Sequence, residues 1–244
     1  SYIETGKRKA NKNVIESLKH ALIRFDPDSP LELLLDYVRI RFPLMDVEYV
    51  IESILRLRMK YMIHEDFGFY SYTEHYKFGD IFVLTSSDEK QGTLLELKGK
   101  GCRQFESFLK AQGRNWYDFF YQAVKENALF KRLDLAIDDK YGILDIPELT
   151  LKCKNEECIS TFRTFQNCNS GKLVQRKEKG DIGHTLYIGS QQSNIYFCLY
   201  EKDYEQHIKL NIPREDTKVK NRFEIRLKNE YADLAIQELL CYRD

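Results

Sequence analysis

The chain has 244 residues, 38 Lys and Arg against 38 Asp and Glu for a net charge of zero, and 43% hydrophobic residues. That suits a globular protein of one substantial domain or two small ones. A uniformly basic surface is excluded, so any nucleic-acid contact needs a local patch. No apolar run approaches the length of a membrane span, and no signal peptide or membrane insertion is read.

Residues 1 to 30 are polar, carry the basic run Lys7, Arg8, Lys9 and Lys12, and end in Asp26-Pro27-Asp28-Ser29-Pro30. They read as a leader or linker with one short helix at 13 to 24. A first residue of Ser rather than Met suggests a processed or excised fragment. Residues 36 to 42 alternate as a strand that buries Val38, Ile40 and Phe42 and presents Tyr37, Arg39 and Arg41. The pattern predicts a helix over about 46 to 60, capped by Asp46, with Val47, Val50, Ile51, Ile54 and Leu55 as its apolar stripe. Strands follow near 67 to 73, 79 to 85 and 93 to 98.

Gly99-Lys100-Gly101-Cys102-Arg103 leads from strand to helix. Its glycines would let backbone N–H groups approach a ligand, with Arg103 in the first turn where an anion is favoured; the alternative is a tight turn with an exposed arginine. A helix at 115 to 127 carries Trp116, Phe119, Phe120, Ala123 and Val124 as core.

Residues 130 to 139 form the strand around which the rest is organised. Leu133, Leu135 and Ile137 point one way; Arg132, Asp134, Ala136 and Asp138 point the other. Two carboxylates on one face repel unless they are exposed, bridged by arginine or neutralised by a divalent cation, and the last arrangement would suit phosphate chemistry.

Residues 140 to 180 read as a long connection ending in a basic, glycine-punctuated loop with Lys172, Arg176 and Lys177. Cys153, Cys158 and Cys168 within it lack the spacing of a zinc site, and the six cysteines overall suit a reducing compartment rather than disulfide staples. A hairpin at 184 to 202 turns at 189 to 194. Its second strand puts Tyr196, Cys198, Tyr200 and Lys202 on one face, where a nearby ammonium could stabilise a Tyr200 phenolate acting on phosphorus. A strand at 221 to 228 has Phe223, Ile225 and Leu227 on the core side and Arg222, Glu224, Arg226 and Lys228 opposite. A last helix, about 230 to 242, packs Leu234, Ala235, Ile236, Leu239 and Leu240 behind the sheet.

The pattern is α+β: a largely antiparallel twisted sheet with helices covering one face. Strand then helix at 36 to 60 and again at 221 to 242 is compatible with an internally duplicated unit. The shared phase of the three polar strands predicts that residues 134, 200 and 224 meet on one sheet face. Arg39, Arg41, Arg103, Arg226 and the loop residues Lys172, Arg176 and Lys177 are the candidate DNA contacts.

Gly99-Lys-Gly-Cys-Arg-Gln-Phe-Glu106, Arg132-Leu-Asp-Leu-Ala-Ile-Asp-Asp139, Thr185-Leu-Tyr-Ile-Gly-Ser-Gln-Gln-Ser193, Tyr200-Glu-Lys202 and Arg222-Phe-Glu224 resemble the replication initiation factor family, which includes initiators of Gram-positive rolling-circle plasmids and relaxases of integrative conjugative elements. The resemblance spans residues 30 to 244 and is nearest to the element relaxases. It implies a DNA nicking and strand-transfer enzyme acting at an origin of transfer or replication in the cytoplasm of a Gram-positive cell. Its tyrosine, carried over as Tyr200, attacks the scissile phosphate and stays on the 5′ end, leaving a free 3′ hydroxyl. The resemblance further implies an Mn2+ or Mg2+ ion held by Asp134, Glu224 and Asp138, with Arg132, Lys202 and Arg222 steadying phosphate oxygens. The implied partners are single-stranded or locally melted origin DNA, other relaxosome proteins, a conjugative coupling protein and a second copy in a homodimer. Conjugative members usually begin with a helix-turn-helix domain and run on beyond the last helix, so residues 1 to 30 read as its remnant and 31 to 244 as an isolated catalytic domain. The contrasting reading is a non-catalytic DNA-binding module with merely salt-bridged carboxylates.

Overall fold

The structure, a computed structural model, describes residues 29–169 and 183–241. The leader with its helix at 13 to 24, and the loop residues Lys172, Arg176 and Lys177, lie outside the described residues.

The strand expected from 36 begins earlier: β1 is Leu31–Phe42. A bulge hides the extra length from the sequence pattern. Leu34 lies opposite Ala136 and Tyr37 opposite Asp134, so Asp36 is the extra residue that resets the phase. Beyond it the alternation holds, with Val38, Ile40 and Phe42 fully buried. Helix α1 (Val47–Tyr49, continuing as the π-turn Val50–Ile54) starts where Asp46 accepts the Tyr49 N–H at 2.9 Å. It stops well short of 60 because Arg56 adopts a positive φ.

No strand forms at 67 to 73. Tyr70 and Ser71 have φ of 56° and 69°, which breaks an extended chain. The strands on either side are β2 (Ile63–Glu65) and β3 (Glu74–Phe78), followed by β4 (Ile81–Thr85) and β5 (Thr93–Lys98).

Helix α2 (Gly99–Ala111) follows β5 directly, and its Gly101 has a packing role. A Cβ at Gly101 would lie 2.3 Å from the Asp80 carbonyl oxygen, so the glycine serves close packing on the β3–β4 turn. Arg103 donates to the Leu35 carbonyl at the β1 bulge and pairs with Glu106 at 3.8 Å. Gly101→Ala should therefore cost about 1–3 kcal/mol by overpacking against backbone. A melting point lowered by roughly 2–12 °C is the expected measurement, and an unchanged one would show that no such contact exists.

Helix α3 (Trp116–Lys125) is fixed by a reciprocal cap between Asn115 and Asp118 and buries Phe119, Phe120 and Ala123, while Val124 is exposed. Phe105 of α2 meets Phe119 edge-on at 4.9 Å, and Phe120 meets Phe130 at 5.6 Å.

The central strand is β6 (Leu129–Asp139). The connection after it holds two unexpected elements, α4 (Ile146–Lys154), capped by Asp145, and β7 (Phe165–Asn169). The hairpin forms as expected from β8 (His184–Ile188) and β9 (Ile195–Glu201). A further unexpected helix, α5 (Lys202–Leu210), precedes β10 (Asn221–Lys228), and α6 (Glu230–Cys241) ends the described chain. It buries Ala232 and Ile236; Leu234, assigned to the core from sequence, is 42% exposed.

Among the described residues, ten strands form one antiparallel sheet in the order β2-β3-β4-β5-β1-β6-β10-β9-β8-β7. The order is symmetric about the β1–β6 pair, so the fold is duplicated, though not in the way the strand-then-helix pattern paired its segments. β1 with α1 corresponds to β6 with α4, and β5 with α2 corresponds to β10 with α6. Helices α1, α2, α3 and α6 pack on the apolar face around Val38, Ile40 and Phe130, and α4 covers Leu186 and Leu199 on the same face. The opposite face carries the polar side chains of the central strands and, under the β2–β3 segment, a small apolar cluster of Tyr72, Leu84 and Leu94. Among the described residues no helix is long and apolar enough to cross a membrane.

Candidate functional site

Register builds the site. On the polar face, one row runs Lys98, Tyr37, Asp134, Arg226, Tyr196 across five strands; the next runs Leu34, Ala136, Glu224, Cys198, Tyr187; the third runs Glu32, Asp138, Arg222, Tyr200, Thr185. Glu224 thus stands diagonally between Tyr200 on one side and Asp134 on the other. The structure brings residues 134, 200 and 224 together on one face.

The Tyr200 hydroxyl donates to Glu224 Oε1 at 2.9 Å and accepts from Lys202 Nζ at 3.2 Å. Burial and the adjacent Glu224 carboxylate push the phenol far above its ordinary range, against the pull of Arg222. It is therefore a neutral phenol whose proton points at a carboxylate. Lys202 reaches it by a route the alternation did not foresee. The strand ends at Glu201, and Lys202 opens α5, where it also pairs with Glu205. Glu205 in turn binds Lys209. Helix α5 lies on the polar side of the sheet and, through Glu205, Ile208 and Lys209, walls a cleft of about 380 Å³ that includes His184, Tyr187 and Tyr200.

The carboxylates are bridged by arginine. Arg132 grips Asp134 with two hydrogen bonds, at 2.9 and 2.6 Å, and stacks over Tyr37 at 4.0 Å. Arg222 grips Asp138 with two hydrogen bonds and reaches Asp36 at 2.7 Å. Arg226 binds Glu224 at 2.7 Å, approaches Asp134 at 3.8 Å and donates to Tyr196 Oη at 3.3 Å. Burial raises the Asp134 carboxyl above its ordinary value in spite of Arg132.

A hard divalent ion suits oxygen donors, and the residues differ in how they fit one. Asp134 and Glu224 already share a cation, the Arg226 guanidinium, so this pair fits a positive charge between them. Asp138 stands apart, held by Arg222. No group of three or more His, Cys, Asp or Glu side chains is arranged as a metal site among the described residues. Cys153 and Cys158 have sulfurs 3.3 Å apart, with Cys168 on β7.

Arg39 lies on the polar face with its guanidinium 4.6 Å from the Tyr70 ring, and Arg41 donates to the Lys90 carbonyl at 3.5 Å. Arg103 is engaged at the Leu35 carbonyl beside the bulge. The sequence reading missed Asp36, Glu205 and Glu96. Glu96 was the most legible of the three, as a single carboxylate in the apolar run Thr93-Leu-Leu-Glu96; it is 1% exposed and accepts from Tyr37 and, at 2.8 Å, from Tyr70. Asp36 depended on the bulge and Glu205 on the unforeseen helix.

A half-buried phenol set between a carboxylate and an ammonium, on an arginine-rich sheet face, defines a candidate centre for phosphodiester chemistry. Residues 128–244 match the profile of the replication initiation factor family, and residues 32–122 match that of the rolling circle replication initiation protein N-terminal domain. The N-terminal match ends within α3 and the C-terminal one starts one residue before β6, so together they follow the division into duplicated halves. The chain is 44% identical over 218 residues to "Putative DNA relaxase NicK" of Bacillus subtilis (strain 168), covering 89% of this chain and 61% of that protein's length. It also superposes, with a TM-score of 0.72 and 27% identity, on a rolling circle replication initiator protein from Geobacillus stearothermophilus, covering 86% of this chain and 79% of that one.

Proposed function

We propose that the chain nicks one DNA strand at an origin of transfer or rolling-circle replication, with Tyr200 as nucleophile. The observation that carries this reading is the Tyr200 hydroxyl, which donates to Glu224 and accepts from Lys202. Glu224 takes the phenol proton as the tyrosine oxygen attacks phosphorus. The bond to the 3′ oxygen breaks, the 5′ phosphate stays on Tyr200, and the departing oxygen leaves as a 3′ hydroxyl after protonation. Lys202 stabilises the developing phenolate. Arg132, Arg222 and Arg226, spent on Asp134, Asp138 and Glu224, mainly hold the acidic face in register, so Lys202, which already reaches the Tyr200 hydroxyl, is better placed to meet a phosphate oxygen.

Asp134 and Glu224 would hold an Mn2+ or Mg2+ ion, which supplies neutralisation of negative charge on the phosphate. The substrate in this reading is single-stranded or locally melted origin DNA, and relaxosome proteins, a coupling protein and a second copy of the chain would be partners. Incubation with a labelled single-stranded origin oligonucleotide and Mn2+ should yield a covalent protein–DNA adduct on a denaturing gel. Excess chelator should suppress it, and undiminished adduct under chelator would remove the metal from the reading. A non-catalytic DNA-binding module is the second reading, favoured by the arginine pairing of all three carboxylates. DNA binding without any adduct would select it.

A further inference from the structure

We infer that the loop joining β2 to β3, residues 66–73, is a base-stacking platform for single-stranded DNA on the same sheet face as Tyr200; this rests on the function proposed above. Register puts His75, Phe82 and Leu84 on the face of Glu96, and therefore on the polar face. The loop folds over that face, with Phe67 4.9 Å from His75 and Phe69 edge-on to Phe82 at 6.5 Å. Yet Phe67, Phe69 and Tyr70 stay 53%, 41% and 50% exposed. Three neighbouring exposed aromatic side chains are unfavourable in water unless something covers them.

The loop is built to hold them there. Tyr70 and Ser71 sit at positive φ, which costs free energy for residues other than glycine. A Cβ at Gly68 would lie 2.3 Å from the Tyr72 carbonyl oxygen. The Tyr70 hydroxyl is anchored to Glu96, and its ring carries the Arg39 guanidinium.

Charge selects the occupant. Arg132, Arg222 and Arg226 are each committed to a carboxylate, whereas among the described residues neither Arg39 nor Arg41 has a carboxylate partner, and the buried Arg41 Nε has no hydrogen-bond partner at all. Exposed rings beside arginines without counter-charges fit the alternating bases and phosphates of a single strand. From β5 beneath Tyr70 to β9 with Tyr200 there are four strand gaps, about 19 Å at the usual spacing. One strand running across the sheet would reach both places, with the nicked phosphate at Tyr200 and flanking bases on the loop.

The test uses the full chain, Mn2+ and a fluorescein-labelled single-stranded oligonucleotide long enough to cross the sheet. Phe67→Ala/Phe69→Ala should weaken binding by roughly 5- to 150-fold per ring lost from a stack. Phe67→Leu/Phe69→Leu, which keeps apolar bulk without a π face, should weaken it similarly. Photocrosslinking of wild-type protein to 4-thiothymidine-substituted DNA should mark peptides from 66–73. Leucine and alanine variants that melt like the wild type and bind as tightly, with crosslinks elsewhere, overturn the inference while adduct formation by the wild type leaves the nicking function standing. Self-association that is lost in the alanine pair, kept in the leucine pair and accompanied by unchanged DNA affinity would make the patch a protein interface instead. A wild-type chain that neither binds single-stranded DNA nor forms an adduct sinks both readings.

Discussion

Tyr200→Phe should abolish the covalent protein–DNA adduct. The substitution removes the attacking oxygen and leaves the ring in place on β9, so the loss is chemical rather than structural. Stability should fall by about 1 kcal/mol, since Glu224 and Lys202 each lose one hydrogen-bond partner. Affinity for single-stranded DNA should change little, because it comes from cations and rings distributed over the face. Tyr196 is the rival on the same strand face and differs in its surroundings. It is 4% exposed, its hydroxyl accepts from Arg226, and among the described residues no carboxylate accepts from it. Tyr196 lacks the carboxylate that Tyr200 has as an acceptor for its proton during attack. Tyr196→Phe should therefore retain the adduct, and mass spectrometry should map the DNA-linked peptide to Tyr200. An adduct that persists in Tyr200→Phe, or that maps to Tyr196, would show the nucleophile to be misassigned.

Glu224→Gln should slow adduct formation by roughly 10²- to 10⁴-fold, the usual contribution of a positioned general base. The amide oxygen can still accept a hydrogen bond from Tyr200, but it cannot take the proton, and the phenol is held protonated by burial. Glutamine also leaves Arg226 with Asp134 as its remaining carboxylate neighbour, so the melting temperature has to be measured alongside. Metal titration separates the two roles proposed for this residue. If Glu224 acts as base, added Mn2+ leaves the rate low; if it serves only as a metal donor, high Mn2+ restores it. A variant within about tenfold of the wild-type rate would assign the proton transfer to another group.

The polar strands show how far local pattern reaches. Period-two alternation at 36 to 42, 132 to 138, 195 to 200 and 221 to 228 put the site residues on the correct faces, because side chains on a strand must alternate whatever the strand pairs with. The helices with strong apolar stripes, at 47 to 54 and 116 to 125, were legible for the same reason. Helices α4 and α5 were not. Lys202-Asp-Tyr-Glu-Gln-His-Ile-Lys-Leu210 is largely polar and sits over a polar cleft, so no apolar stripe marked it. Residues 67 to 73 read as a strand because their aromatics favour one, and positive φ at Tyr70 and Ser71 overrode that preference.

By itself the sequence determined the sheet faces, the family resemblance and the presence on one surface of Asp134, Tyr200 and Glu224. These follow from spacing along a single chain. Only the tertiary structure decided which partner each of them has. Strand order and register put Glu224 one diagonal step from Tyr200, set Arg222 against Asp138 and Asp36, and paired Arg132 with Asp134. The Asp36 bulge, the return of Lys202 from a helix and the aromatic loop over the first half of the sheet were likewise decided there. Pairing between strands remote in sequence depends on register, and a shift of one residue would send every one of these side chains to the opposite face.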